Sequence, residues 1–160
     1  MGEMKNVLFV CTGNTCRSPL AEGLFKKHTA ERSDFTVSSA GLATFEGSSI
    51  SFESEDILRE VQAPLDQHRS QRVTQKLLDS ATHVIAMTHT HLMTLEARFP
   101  NHTDKFYLLG EFIQTTAETS PPDVPDPIGM PRAAYQEVAA MIERAIPVII
   151  QYIDESQPQQ

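Results

Sequence analysis

Tryptophan is missing from this 160-residue chain, tyrosine occurs three times and cysteine only twice. The two cysteines, Cys11 and Cys16, stand five positions apart in one loop, so a structural disulfide is not expected. No apolar run approaches the ~20 residues that cross a membrane. The N-terminus lacks the charged-then-apolar pattern of a secretory leader. The expected location is therefore the cytoplasm, with no membrane partner. Positive charge is also scarce: 13 Lys and Arg stand against 21 Asp and Glu, a formal net charge of −8. That balance argues against nucleic acid or an anionic lipid surface as a partner. His89 and His91 have no thiolate or carboxylate at ligand spacing, so no metal is expected. Internal repeats and long linkers are absent as well. What remains is ordinary, with 40% hydrophobic and 21% charged residues, the make-up of one globular domain. A chain of this size buries roughly two-thirds of its unfolded surface.

Apolar runs and helical patterns alternate along the chain. Residues 6–10 read as a buried strand. The spacing predicts a helix over 19–30, with Leu20, Leu24 and Phe25 on one face and Lys26 and Lys27 outside. Residues 35–38 are short and β-like, and Ser38-Ser39-Ala40-Gly41 reads as a turn. A second helix is expected over 51–61, turning Phe52, Ile57 and Leu58 inward. A threonine cap opens a short helix over 74–80, a strand follows at 82–87, a helix at 91–98 and a fourth strand at 105–109. The last helix, 131–152, carries Tyr135, Val138, Met141, Ile142 and Ile149 at helical spacing, with a kink expected at Pro147. Strands separated by helices require right-handed crossovers and give a parallel sheet. Ligands of such sheets bind beyond the carboxyl ends of the strands.

The end of the first strand is where the chemistry lies. Cys11-Thr12-Gly13-Asn14-Thr15-Cys16-Arg17-Ser18 joins that strand to the first helix. A helix N-terminus carries unpaired N–H groups and partial positive charge, and a short loop entering it can turn more N–H groups inward as an anion nest. Thr12, Gly13, Asn14, Thr15, Cys16 and Ser18 are thus candidate phosphate-binding positions. Gly13 and Asn14 are the types that most easily adopt the backbone angles of such a cradle. Arg17 adds a planar fork able to hold two phosphate oxygens. Cys11 sits at the mouth, where this field favours its thiolate and would stabilise charge developing on a phosphoryl group. Cys16 could resolve an oxidised Cys11 as a reversible disulfide. The lysine and glycine spacing of the nucleotide P-loop are absent.

A thiolate phosphatase also needs a proton donor for the leaving group and a base for the second step. Pro121-Pro122-Asp123-Val124-Pro125-Asp126-Pro127 supplies acids on a loop stiffened by proline. Asp126, flanked by two prolines, is the first candidate and Asp123 the second.

The segment from Val7 to Leu20, the Ser38-Ser39-Ala40-Gly41 stretch and the late Asp126-Pro127 pair resemble the low-molecular-weight protein tyrosine phosphatases, in order and spacing, from Asn6 to about Ile153. The resemblance implies Cys11 as nucleophile, Arg17 as phosphate clamp and Asp126 as general acid, then base. It implies a loop-shaping network of Asn14, Ser18, Ser39 and His68, with Ser18 also stabilising the thiolate. Thr15 stands where tyrosine-directed members carry a branched apolar residue. Together with Ala86-Met87-Thr88-His89-x-His91 it is similar to the bacterial protein arginine phosphatases. A hydroxyl there could orient a guanidinium or steer water, whereas a branched alkyl favours an aromatic face. Ile128 follows Asp126-Pro127 where both branches tend to place an aromatic, and Phe45 is the one aromatic expected to flank the pocket. The fold expected is α/β, a single three-layer domain over 1–155. Its four-stranded parallel sheet has the order 2-1-3-4 with helices on both faces, and 156–160 form a disordered tail.

The expected activity is hydrolysis of phosphoarginine in proteins through a phosphocysteine, with phosphotyrosine as the alternative. No cofactor is called for, the partners are phosphorylated proteins and phosphate or other oxyanions, and a monomer is expected. A thioredoxin-coupled arsenate reductase would need relay cysteines late in the chain, and there are none. A sugar-transport phosphocarrier would need neither Arg17 nor Asp126. A phospho-binding module without turnover would not need all three of Cys11, Arg17 and Asp126.

Overall fold

The computed structural model describes residues 3–113 and 120–156. Strand β1 (Lys5–Cys11) lies at the centre of a four-stranded sheet, between β2 (Phe35–Gly41) and β3 (His83–Ala86), and β4 (Phe106–Leu108) closes the edge beside β3. All three pairings are parallel and the order is β2-β1-β3-β4, as expected. Alternation along β1 splits the core in two, because successive side chains point to opposite faces. Val7, Phe9 and Cys11 join a cluster with Leu20, Phe25, Ile142, Ile146 and Ile149. Leu8 and Val10 join Leu78, Val84 and Leu95 on the other face. Helices α1 (Arg17–His28), α2 (Phe52–Glu60) and α5 (Arg132–Glu155) cover the first face, and α3 (Gln75–Ser80) and α4 (His89–Arg98) the second.

Three helices start on side-chain caps. Ser51, Thr74 and Thr88 each accept the N–H three residues on, from Ser54, Leu77 and His91. The Thr88 cap starts α4 at His89, two residues before the sequence-based expectation.

Other expectations are corrected. The strand expected at 35–38 continues through Ser38-Ser39-Ala40-Gly41, because all seven residues pair with β1. That stretch is strand, not turn. Gly41 is required at its end, since a β-carbon there would stand 2.6 Å from the Thr12 carbonyl oxygen. Phe52 does not point inward: it is the first residue of α2 and 77% exposed, while Ile57 and Leu58 are buried. Helix α5 runs without a break from Arg132 to Glu155, with Pro147 inside it and facing solvent. The fourth strand is shorter than expected because 3-10 turns occupy Pro100–Lys105 and Leu109–Phe112. Of the expected tail, Ser156 closes α5 by donating its N–H to the Tyr152 carbonyl, and the rest lies outside the described residues. Among the described residues no helix is long and apolar enough to cross a membrane.

Candidate active site

Cys11 is the last residue of β1, at the carboxyl edge of the sheet, and α1 begins six residues later at Arg17. Its sulfur is almost fully buried and two groups converge on it. Ser18 Oγ lies 2.9 Å from Sγ, and the Asn14 N–H donates to it at 3.3 Å. The turn that aims this N–H depends on Asn14 in the left-handed region, φ 57°. Gly13 was expected to share that conformation and does not, so the unusual backbone falls on Asn14 alone. Asparagine tolerates it better than most side chains.

The Asn14 side chain is fully buried and fully bonded. Nδ2 donates to Ser18 Oγ and to Ser39 Oγ, each at 2.9 Å. Oδ1 accepts the Gln71 N–H at 3.0 Å, and the Asn14 carbonyl pairs with His68 Nε2 at 2.9 Å. The expected set of Asn14, Ser18, Ser39 and His68 is therefore brought together. Ser18 Oγ accepts from Asn14, which leaves its own hydrogen for the sulfur. Ser39 Oγ in turn donates to Glu22 Oε1 at 2.6 Å. Glu22, on α1, is nearly buried and pairs with Lys26 Nζ at 3.0 Å.

Arg17 is buried, and its guanidinium faces the proline-rich loop. One nitrogen donates to the Val124 carbonyl at 3.0 Å and another lies 3.9 Å from Asp126 Oδ2. That loop is fixed at two points. The Val124 N–H donates to Met87 O, just past β3. Pro122 presses on Gly110, where a β-carbon would meet the Pro122 carbonyl oxygen at 2.0 Å. Asp126 is half exposed, and its Oδ1 accepts the Ile128 N–H at 3.1 Å in a local turn. Asp123 points elsewhere. Its Oδ1 accepts the His89 N–H at 2.8 Å and faces His89 Nδ1 at 2.7 Å. Burial raises its carboxyl, but the backbone N–H and ring of His89 together outweigh that and bring it below the ordinary carboxylate range. A carboxyl held anionic this way is a poor proton donor, so Asp126 is favoured over Asp123.

Nearly the whole chain carries the resemblance seen in these residues. Residues 6–159 match the family described as "Low molecular weight phosphotyrosine protein phosphatase". This chain belongs to that family. A "Protein-arginine-phosphatase" of Geobacillus stearothermophilus is 39% identical over 144 residues, 86% of this chain and 91% of that protein. The structure titled "YwlE arginine phosphatase", in a mutant with a phosphorylated active-site serine, superposes with a TM-score of 0.85 at 31% identity, covering 94% of this chain and 97% of its own. A low molecular weight protein tyrosine phosphatase from T. tengcongensis superposes at 0.84 with 35% identity, covering 92% and 99%.

The remaining family positions fall as follows. Thr15 is partly exposed, its hydroxyl 3.9 Å from Cys16 Sγ and 3.6 Å from where a β-carbon on Gly13 would stand. Cys16 is buried behind the loop beside Tyr135 of α5. Burial pushes the Tyr135 phenol up to about 12, with Cys16 and Glu53 adding to the rise. Thr12 is exposed, and its hydroxyl lies 2.7 Å from Nε2 of the buried His91. Phe45 and Ile128 are both well exposed. Phe45 lines a groove with Leu42, Thr44, Arg72 and Arg98. Sequence reasoning missed Glu22 and Gln71, and named His91 only in the Ala86-to-His91 stretch and as a rejected metal ligand. The cap at Thr88 puts His91 on the first turn of α4.

Proposed function

We propose that this chain is a cysteine-dependent phosphatase acting on phosphoarginine in proteins. The observation that carries the reading is the pair of groups, Ser18 Oγ and the Asn14 N–H, converging on the Cys11 sulfur at the mouth of an arginine-bearing loop. Two donors aimed at one sulfur fit it for the part of nucleophile. Its thiolate attacks phosphorus in line with the leaving group. Arg17 and the amides of residues 12–18 hold the three equatorial oxygens. The bond from phosphorus to the guanidine nitrogen breaks, and Asp126 gives that nitrogen its proton. The enzyme then carries phosphate on Cys11. Water attacks the phosphorus while Asp126 takes a proton back, the S–P bond breaks with Ser18 supporting the departing thiolate, and phosphate leaves. Every proton is accounted for by Asp126 and water.

Support for arginine over tyrosine comes from Thr15 and from the relatives. The Geobacillus protein and a Bacillus subtilis protein at 36% identity both carry the arginine-phosphatase name. A second reading, phosphotyrosine, is favoured by the family description and by exposed Ile128 and Met130 on the acid loop, which offer apolar surface to a ring. Steady-state kinetics on matched phosphoarginine and phosphotyrosine peptides tests both. A kcat/KM ratio in favour of phosphoarginine, abolished by Cys11→Ser, is expected. Turnover surviving in Cys11→Ser would end the thiolate mechanism, and a ratio favouring phosphotyrosine would end the arginine assignment.

A further inference from the structure

His91 belongs to none of the steps above, yet it touches the residue next to the nucleophile. Its ring is nearly buried on the first turn of α4, Nε2 is 2.7 Å from Thr12 Oγ1, and Nδ1 is buried with no hydrogen-bond partner among the described residues. Neighbouring contacts tie the same turn to the acid loop, since Asp123 accepts from the His89 N–H. One end of α4 therefore braces both the Cys11 loop and the Asp126 loop.

The ring's protonation state follows from its surroundings. Charged groups facing it are Arg17 from α1 and Asp123 and Asp126 from the acid loop. Burial, then Arg17, push it down to about 4 against the two carboxylates. A neutral imidazole has one N–H. Placing that hydrogen on Nδ1 would strand a donor in the interior, which costs the most. Placing it on Nε2 makes His91 the donor and Thr12 Oγ1 the acceptor. Thr12 then keeps its own hydroxyl hydrogen at the exposed rim of the cradle.

We infer that His91 is a positioning residue, locking the Thr12 hydroxyl as a hydrogen-bond donor to the substrate's phosphoryl group. The inference deepens the phosphatase reading and rests on it. Losing one such bond corresponds to about a tenfold drop in kcat/KM.

A double-mutant cycle of Thr12→Val and His91→Leu, with His91→Gln and Thr12→Ser as conservative partners, tests it. Each disruptive single variant should lose about tenfold, and the double variant should lose no more than either. His91→Gln, which keeps a donor, and Thr12→Ser, which keeps the hydroxyl, should recover most of the loss. Inhibition by inorganic phosphate should weaken in parallel with kcat/KM. His91→Leu should keep its thermal midpoint, because it also removes an unpartnered buried nitrogen. A purely packing role for His91 predicts the opposite, with midpoint and activity falling together. Losses that multiply in the double variant, or His91→Gln no better than His91→Leu, would overturn the inference while leaving the phosphatase reading intact. So would a pH profile of His91→Gln that differs in shape from wild type between about pH 5 and 8, since a ring already neutral there contributes no limb. A wild-type protein inactive on every phosphorylated substrate would overturn both.

Discussion

Replacing Asn14 with alanine separates the backbone contribution of the phosphate loop from its hydrogen-bond contribution. The side chain is fully buried and makes three bonds, two from Nδ2 to Ser18 and Ser39 and one to Oδ1 from the Gln71 N–H. At about 0.5–1.5 kcal/mol net for each, their loss costs roughly 1.5–4.5 kcal/mol. The backbone at φ 57° adds a second penalty, because alanine in the left-handed region costs roughly 1–2 kcal/mol. Asn14→Ala should therefore destabilise by about 2.5–6.5 kcal/mol, and Asn14→Gly, which removes only the side-chain bonds, by about 1–2 kcal/mol less. Urea unfolding followed by circular dichroism reads both values from the midpoints at constant slope. Activity should fall in both variants alike, since each leaves Ser18 without the partner that orients it. Glycine no more stable than alanine would mean the backbone angle is not what asparagine supplies. Losses under about 1 kcal/mol in both would mean the Asn14 bonds contribute nothing net.

Further outcomes follow from the same geometry. Thr15→Ile should move the kcat/KM ratio toward phosphotyrosine, and an unchanged ratio in paired peptide assays removes Thr15 from specificity. Asp126→Ala should slow aryl phosphates with poor leaving groups by about 10²–10⁴ and those with good leaving groups far less; equal losses take Asp126 out of the acid role. Activity lost to peroxide should return with dithiothreitol in wild type but not in Cys16→Ala, and equal recovery in both ends the resolving role of Cys16. On the far side of the molecule Arg32 holds Asp34 and Asp154, with two-pronged bonds of 2.8 Å to Asp154. Hydrogen bonds from Arg32, then Lys5, keep Asp34 well below the ordinary carboxylate range. A depressed folded pKa gives stability that is fully present above the unfolded value of about 3.9 and lost progressively as pH falls from there through the lower folded value. Asp34→Asn should therefore lower the urea midpoint at neutral pH, with a deficit that starts to shrink only below about pH 4 and keeps shrinking through the acid range; a deficit constant with pH refutes the ion pair as its source.

The fold was legible where side-chain period and burial agree. Residues 7–10 are apolar throughout because β1 is covered on both faces, and a continuous apolar run is what such a strand looks like. Failures cluster where tertiary pairing overrides local pattern. Ser38-Ser39-Ala40-Gly41 has the composition of a turn, yet β1 recruits all of it into strand. Phe52 looked like core, but the Ser51 cap places it on the first turn of α2, ahead of the face that Ile57 and Leu58 bury. Thr88 signalled a helix start and was passed over in favour of the apolar residues after it.

The candidate site divides along the same line. Cys11, Arg17 and Asp126 lie in short stretches whose composition alone suggests their chemistry. Glu22 does not, because a glutamate four residues before a lysine on a helix reads as a surface pair. It is nearly buried since Ser39 of β2 lies against it, a contact made only by the sheet. That contact agrees with the direction that the Gln71 N–H, donating to Asn14 Oδ1, imposes on the network. A carboxylate accepts only, so Ser39 must donate to Glu22 and accept from Asn14. The Asn14 amide is then turned with its nitrogen toward both serines and its oxygen toward the Gln71 N–H. Ser18, accepting from that nitrogen, has its one hydrogen left for the Cys11 sulfur 2.9 Å away. Glu22 thus stands at the far end of a run of four hydrogen bonds, through Ser39, Asn14 and Ser18, that ends on the Cys11 sulfur.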